Sequence, residues 1–494
     1  MSDANPTDPN HPPVHRSEMQ ESLEHALQGP MKPWLLGHPK GLFLLFFVEM
    51  WERFSYYGMR ALLVLYLIQR IQPEPSPGLF QDEIVNPGRG WSEPSAYMLY
   101  GWYTGLAYLL PIFGGYLADK ILGTHRSMLL GGITIAIGHV ILAISGIGAM
   151  EHSQAGMSLF IAGLAVIVLG TGYFKPTVSV MVGQLYPAGD ARRDGGFSIF
   201  YMGINLGAFI CAFVCGTLGE QVGWHYGFGA AAVGMIAGLV MYIAWRPTCL
   251  KGVGEPPAGK PNLVVPLLLG SLALSAGIGM IYHMGGFSAV GTAFADALKH
   301  PVLGLVLKIG LPLAVLAFVA VFTGIQAPGD KGPVFCIFVF ILFNAFFWLA
   351  FEQAGSTLNV FASESTDRMI GSWEMPASWF QSFNAFFIIV FAPIFAMLWV
   401  WLGKRKLNPN QPVKIALGLI LLGLGYIVMV QGAEKAATGV KVGMVFLTAT
   451  YFLHTMGELC LSPTGLSFVT KAAPVKFVSF LMGFWFLSSF VANL

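Results

Sequence analysis

The sequence predicts an all-α, polytopic membrane protein: two six-helix bundles with a two-helix hairpin inserted between them. Three observations carry this expectation. Of 494 residues, 55% are hydrophobic and only 11% are Asp, Glu, Lys or Arg, against about 25% charged in a soluble domain. Mean hydropathy is +0.66. The apolar residues fall into runs of about 20, the length a helix needs to cross the hydrocarbon core.

Thirteen such segments are visible, near 41–68, 96–118, 128–149, 157–185, 197–219, 226–245, 262–284, 302–323, 333–361, 377–402, 413–431, 442–469 and 475–494. Residues 1–38 are polar, and the first apolar run is too long for a signal-peptide core. They are expected to form a cytoplasmic tail, with an amphipathic stretch at 17–27. Spans one to six make a block over 39–246 that ends at Arg246-Pro247. Residues 247–332 hold a Gly/Pro/Lys-rich linker and two spans with few polar residues, and 333–494 hold five further spans. Paired bundles of this kind recur among transporters. The 60 Gly and 39 Phe suit closely packed membrane helices. Placing the N-terminus in the cytoplasm puts most of the connecting Lys and Arg on that side, including Arg192-Arg193 and Lys404-Arg405-Lys406.

A net charge of +2 argues against a nucleic-acid partner. Cys211, Cys215, Cys249, Cys336 and Cys460 lie in or at the ends of apolar runs and read as reduced, packed thiols.

Function enters with six ionisable residues deep in the spans: Glu49, Glu52, Arg53, Lys175, Glu352 and Glu458. Glu49, Glu52 and Arg53 are spaced i, i+3, i+4 and share one helix face. Each isolated charge costs roughly 2.5–3.5 kcal/mol at a helix centre, so six cost on the order of 15–20 kcal/mol, more than a typical folding free energy. They must pair or face a wet cavity. Pure structural pairing is the weaker reading, because buried pairs stabilise poorly. Four carboxylates against two cations leave an excess of negative charge, and unpaired carboxylates in such a setting take up protons. Proton entry coupled to movement is the expectation. Gly170, Gly172 and Pro176 surround Lys175, and Pro463 follows Glu458. Interrupted helices are tolerated where freed backbone groups face protein or a cavity. Gly170-x-Gly172 lacks the third glycine and preceding strand of a phosphate loop.

Tyr56, Tyr57, Tyr108, Asn205, Asn344, Trp348, Asn384, Ser462 and Trp485 complete a candidate pocket. His139, His283 and His454 have no partner at a metal-like or haem-like spacing and read as structural, so no metal or cofactor other than the proton is expected.

At this point the sequence resembles the proton-dependent oligopeptide transporters, a branch of the major facilitator superfamily. Glu49-Met-Trp-Glu52-Arg53-Phe-Ser-Tyr56-Tyr57-Gly58 looks like the family's ExxERFxYYG signature, and Phe200-Tyr201-Met-Gly-Ile-Asn205-Leu-Gly207 like its FYxxINxG signature. Gly114-Gly115-Tyr-Leu-Ala-Asp119-Lys120-Ile-Leu-Gly123-Thr-His-Arg126 is similar to the superfamily's cytoplasmic motif. Phe351-Glu352-Gln353-x-Gly355-Ser356-Thr357 and Glu458-Leu-Cys-Leu-Ser462-Pro463-x-Gly465-Leu466 follow.

The resemblance implies a major facilitator fold of twelve core spans plus the hairpin, and the thirteen visible segments leave the last core span without a counterpart. It implies a non-enzymatic symporter that imports di- and tripeptides with protons across a bacterial inner membrane, with no obligate protein partner. Arg53 and Lys175 would draw the peptide carboxylate, and Glu458 would hold its ammonium, assisted by Asn205 and Asn384. Tyr57, Tyr108, Trp348 and Trp485 would line side-chain pockets, with Tyr56 and Ser462 beside them. Glu352 would be the proton-coupling site, pairing with Arg53 until protonated, while Glu49 and Glu52 tune the exchange. Gly115, Asp119, Lys120 and Arg126 would act in gating. The alternatives are a carrier of nitrate or another small anion and, outside transport, a proton-channel subunit of a membrane complex.

Overall fold

The computed structural model describes residues 32–70, 86–187 and 189–494. Residues 1–31 of the polar tail, with the 17–27 stretch, lie outside the described residues. Helices occupy each of the thirteen apolar segments. Among the described residues, nine helical stretches are long and apolar enough to cross a bilayer.

The first bundle comprises α1 (Lys40–Ile68), α2 (Glu93–Leu117), α3 (Gly123–Ile144), α4 (Gln154–Gln184), α5 (Arg193–Gln221) and α6 (Trp224–Cys249). The 29 residues of α1 span about 44 Å at 1.5 Å per residue. This helix carries Glu49, Glu52, Arg53 and Arg60 and is nonetheless buried along almost its whole length. It is wedged between α5 and α6. Small residues make the wedge possible: a Cβ at Gly58 would lie 2.6 Å from Cys215 Sγ, and one at Gly234 would lie 2.5 Å from Phe54 Cδ1. Ser153 caps α4 by accepting from the Gly156 amide at 3.0 Å. The segment read as the α2–α3 connection folds instead as a π turn, Ala118–Leu122, so α3 starts at Gly123 rather than near 128. Gly123 takes φ +73° there and lies against Pro256 of the following linker.

The second bundle comprises α10 (Pro328–Phe351), α11 (Thr357–Glu364), α12 (Gln381–Lys404), α13 (Gln411–Ala436), α14 (Val445–Ala472) and α15 (Val478–Asn493). The segment expected as one span over 333–361 is broken. A 3₁₀ turn at Glu352–Gly355 ends α10, and Ser356, at φ −120° and ψ −100°, redirects the chain into α11. α13 and α14 pair closely, with Gly418 and Gly457 backbones in mutual contact.

The inserted pair is α7 (Val264–His283) and α9 (Pro301–Gly324), joined by α8 (Gly286–Lys299). α7 leans on α4 and α3 of the first bundle. α9 leans on the second, where Phe318 stacks on Phe484 at 5.5 Å and Phe322 meets Phe338 at 5.9 Å. Most of both helices is exposed, as lipid-facing surface must be. None of the five cysteines forms a disulfide among the described residues.

Candidate functional site

The site grows from one face of α1. Positions 49, 53, 56 and 60 are spaced i, i+4, i+7, i+11, and all four are buried. Arg53 Nε lies 2.8 Å from Glu49 Oε1 and 2.8 Å from Glu52 Oε2. A guanidinium Nε carries one hydrogen, and it points at Glu49. Glu52, 1% exposed, is therefore ion-paired while neither of its oxygens accepts a hydrogen bond among the described residues.

Arg60 forms the second ionic centre, and it changes the expected pairing. Its Nη2 donates to Glu352 Oε2 at 2.6 Å, and its Nε donates to the Tyr100 hydroxyl at 2.7 Å. The expectation that Glu352 pairs with Arg53 is thus corrected: in this arrangement Arg53 is held by Glu49 and Glu52, and Glu352 by Arg60. The physical reason is reach. Arg60 lies two turns further along the same face, level with the break in the seventh bundle-forming helix that presents Glu352. The Tyr108 hydroxyl donates to Glu352 Oε1 at 3.5 Å. Adding Arg60 raises the intramembrane cations to three and reduces the excess of negative charge.

Lys175 stands on α4 beside Pro176, its Nζ 3.8 Å from the centroid of the Tyr108 ring. A cation over an aromatic face is a favourable placement away from water. Close helix packing sets it there: a methyl at Gly114 would collide with the Gly172 carbonyl, which brings α2 and α4 together. Across the interface, Asn384 Nδ2 donates to Glu458 Oε2 at 2.8 Å and to Thr455 Oγ1 at 3.0 Å.

The remaining candidates divide. Tyr57 lies under the Arg60 guanidinium at 5.7 Å, and Tyr56 under that of Arg53 at 5.8 Å. Asn205 donates to the Tyr201 carbonyl of its own helix at 3.0 Å. Trp348 donates to Asn344, which donates to Ser488. Trp485 packs over Gly465 inside the second bundle's apolar core. Ser462 Oγ is buried without a hydrogen-bond partner among the described residues. Asp119 and Lys120 are exposed in the π turn, Gly115 faces Pro176, and Arg126 has a buried Nη1 without a hydrogen-bond partner among the described residues. No ion pair to Asp119 is found among the described residues.

Between the bundles lies a cavity of about 30 Å³ bounded by Tyr57, Arg60, Cys211, Gln381, Asn384 and Tyr451. It holds roughly one or two waters, so a larger ligand requires the bundles to part. His454, read as structural, also borders it. Among the described residues, the polar contacts joining the bundles gather toward the end of α1 that carries Ile68. There Glu220 accepts from the amides of Ala377 (2.7 Å) and Ser378 (2.8 Å), and Trp379 donates to Thr217 at 3.0 Å. Asn359 donates to the Ala61 carbonyl at 2.8 Å, and Ser382 to the Phe209 carbonyl at 2.8 Å. The bundles are thus closed at one end. No cluster of His, Cys, Asp or Glu able to hold a metal occurs among the described residues.

The chain as a whole is similar to known proteins. The family model of the POT family matches residues 125–259 and 308–494. The chain belongs to the POT family. A peptide transporter of Yersinia enterocolitica is 37% identical over 470 residues, covering 93% of this chain and 86% of the relative. A di-/tripeptide transporter of Lactococcus lactis subsp. cremoris is 35% identical, covering 92% and 87%. A crystal structure of a POT peptide transporter in complex with sulfate superposes with a TM-score of 0.76 at 37% identity, covering 96% of this chain and 90% of that one. This POT-family chain is therefore a membrane-embedded transporter of the major facilitator fold.

Arg60, Tyr100 and Glu220 escaped the sequence reading. Extending the α1 face one further step, from 49, 53 and 56 to 60, would have found Arg60. Tyr100 and Glu220 carry no sequence signal of their own, because each is engaged by residues far along the chain: Tyr100 donates to the Glu352 carbonyl 252 positions away, and Glu220 accepts from the Ala377 amide 157 positions away.

Proposed function

We propose that this protein is a proton-coupled symporter that imports di- and tripeptides across a bacterial inner membrane by alternating access, its N-terminus in the cytoplasm. One observation carries the reading: the first bundle holds the buried cations Arg53 and Arg60 and the second the buried acid Glu458, whose partner Asn384 lines the inter-bundle cavity together with Arg60 and Tyr57. A short zwitterionic peptide has opposite charges at its two ends, so its carboxylate suits the first set and its ammonium the second. Both bundles then bind one molecule, which couples binding to their relative movement. Asn384 orients the Glu458 carboxylate, and the rings of Tyr57 and Tyr108 offer faces to the peptide between them.

The coupling step belongs to Glu352 and Arg60. Ionised, Glu352 clamps Arg60 and holds the Ile68 end closed. Protonated, it loses most of its attraction for Arg60, and that end is free to part. With the N-terminus in the cytoplasm, the closed end faces outward, so the arrangement is the inward-facing one. Protons entering from outside would then favour opening toward the outside. Arg53, ion-paired with two carboxylates, keeps capacity for a substrate carboxylate because its one Nε hydrogen is directed at Glu49, and Glu52 accepts no hydrogen bond among the described residues. Asp119, exposed and without an ion pair among the described residues, is the candidate to engage the neighbouring helix ends when the cytoplasmic side closes, together with Lys120 and Arg126.

The test is uptake of a radiolabelled dipeptide into proteoliposomes with and without an inward proton gradient. Accumulation above equilibrium with the gradient alone is the expected result. Competition by unlabelled dipeptides, and none by nitrate, is expected alongside it. No uptake at any gradient, or competition by nitrate alone, overturns the reading.

A further inference from the structure

Between the two inserted helices the chain folds α8, and none of its residues is buried. Its sequence is two-sided. Phe287, Val290, Phe294 and Leu298 recur at i, i+3, i+7 and i+11, and Ser288, Thr292, Asp296 and Lys299 at i, i+4, i+8 and i+11. At 3.6 residues per turn these are two opposed stripes, one apolar and one polar. Phe287 is 43% exposed, Val290 68% and Phe294 58%. A contiguous apolar stripe left uncovered by protein marks an interaction surface.

The neighbouring helices say what covers it. α7 has 20 residues and α9 has 24, both long enough to cross a bilayer, and only 17% and 6% of their apolar windows are buried inside the protein. Lipid covers the rest. The ends of α7 and α9 that α8 joins therefore lie at the edge of the hydrocarbon layer, and the lipid-facing surface runs on without interruption into the apolar stripe. The chain turns out of α7 at Gly285, which adopts φ +76°. It turns into α9 at His300-Pro301, where the His300 ring accepts from the Leu303 amide at 3.2 Å. Both ends of α8 are pinned: a Cβ at Gly286 would lie 3.0 Å from the Ile281 carbonyl, and Gly304 abuts the Leu298 carbonyl. The rings of Tyr282 and Phe287 meet at 5.8 Å. Lys308, exposed two turns into α9, is placed to snorkel toward the same polar layer.

We propose that α8 is an interfacial helix that lies along the bilayer surface with its Phe287–Val290–Phe294 stripe in the headgroup–acyl boundary. Because α7 leans on the first bundle and α9 on the second, the helix straps the flanks of the two bundles together at that surface. A helix with a strong polar–apolar division is the kind that seats in this boundary, and its hold there grows with the apolar area it buries.

The experiment uses the full-length protein reconstituted in phosphatidylcholine–phosphatidylglycerol vesicles, with the exposed Cys336 replaced by alanine. Nitroxides are attached singly at Val290→Cys and Phe294→Cys on one stripe and at Ser288→Cys and Thr292→Cys on the other. All four sites are exposed, and dipeptide uptake and melting temperature verify that each labelled protein is folded. Collisional access to oxygen, which concentrates in the acyl region, is compared with access to a water-soluble nickel chelate. The ratio of the two is expected to be several-fold higher at 290 and 294 than at 288 and 292. Equal ratios favouring the nickel chelate at all four sites would place α8 in water, and uniformly high oxygen access would bury it in the acyl core; either overturns the proposal.

Discussion

α1 and the pair α7 and α9 stand at opposite extremes. α1 carries five charged side chains and is buried along almost its whole length, whereas α9 is apolar and only 6% of its apolar window is buried. In water the order would be reversed, because burial would follow apolarity. In a bilayer apolar surface needs no protein cover, and it is the charged helix that must be enclosed and supplied with partners. Burial here marks where function has been paid for, and exposure marks scaffold.

Four changes test that contrast, from the largest effect to the smallest. Replacing Arg60 with methionine leaves Glu352 buried without its ion-pair partner. Stranding one member of a buried pair costs about 3–5 kcal/mol, so a large fall in melting temperature is expected in detergent at neutral pH. Adding Glu352→Gln to that variant should recover much of the loss, and no recovery would show that Arg60 acts through packing instead.

Glycines give the second comparison. A methyl at Gly114 collides with the Gly172 carbonyl, whereas Gly277 of α7 has nothing within 4 Å of the added atom. Gly114→Ala should destabilise by about 1–3 kcal/mol through overpacking. Gly277→Ala should be neutral or stabilise by up to about 1 kcal/mol, the helix-propensity gain. Equal melting temperatures for the two would remove the distinction between enclosed and lipid-facing helices.

Glu220 lies between the extremes, partly covered and shared by both bundles. Glu220→Gln keeps one acceptor oxygen and loses one of the two backbone bonds across the interface. The closed end should loosen by on the order of 1 kcal/mol. Spin-label distances across that end should broaden toward longer values, and an unchanged distribution would remove Glu220 from the closure.

The smallest effect concerns His38, outside the membrane, whose ring nitrogen meets the Tyr186 hydroxyl at 2.8 Å. Burial, and then the charge of Arg192, hold its pKa below the ordinary value of 6.5. The folded protein thus binds this proton less readily than the unfolded chain. Stability should fall as pH drops through about 6.5 toward the lowered folded value. His38→Asn should flatten that part of a melting-temperature profile.

The charged face of α1 was legible because an ion in an apolar run is conspicuous at any position. Its partner assignments were not. Arg60 sits near the end of its span, where a long side chain could equally snorkel to water, and its acid lies 292 positions away. The helix break at Glu352–Gly355 was hidden in a continuous apolar run, although it is the break that levels Glu352 with Arg60. The two-helix insertion was legible as two spans. That each leans on a different bundle was not, since a lipid-facing pattern carries no information about neighbours. α8 reads in the sequence as a connection because its two stripes are only 14 residues long.

In the proposed coupling Glu352 releases Arg60 when protonated, and Glu352→Gln fixes that residue in its neutral form. The direct measurement compares gradient-driven dipeptide uptake with dipeptide exchange at equilibrium in proteoliposomes carrying this variant. Loss of driven uptake with exchange retained is the predicted result. Driven uptake equal to that of the unsubstituted protein would contradict it.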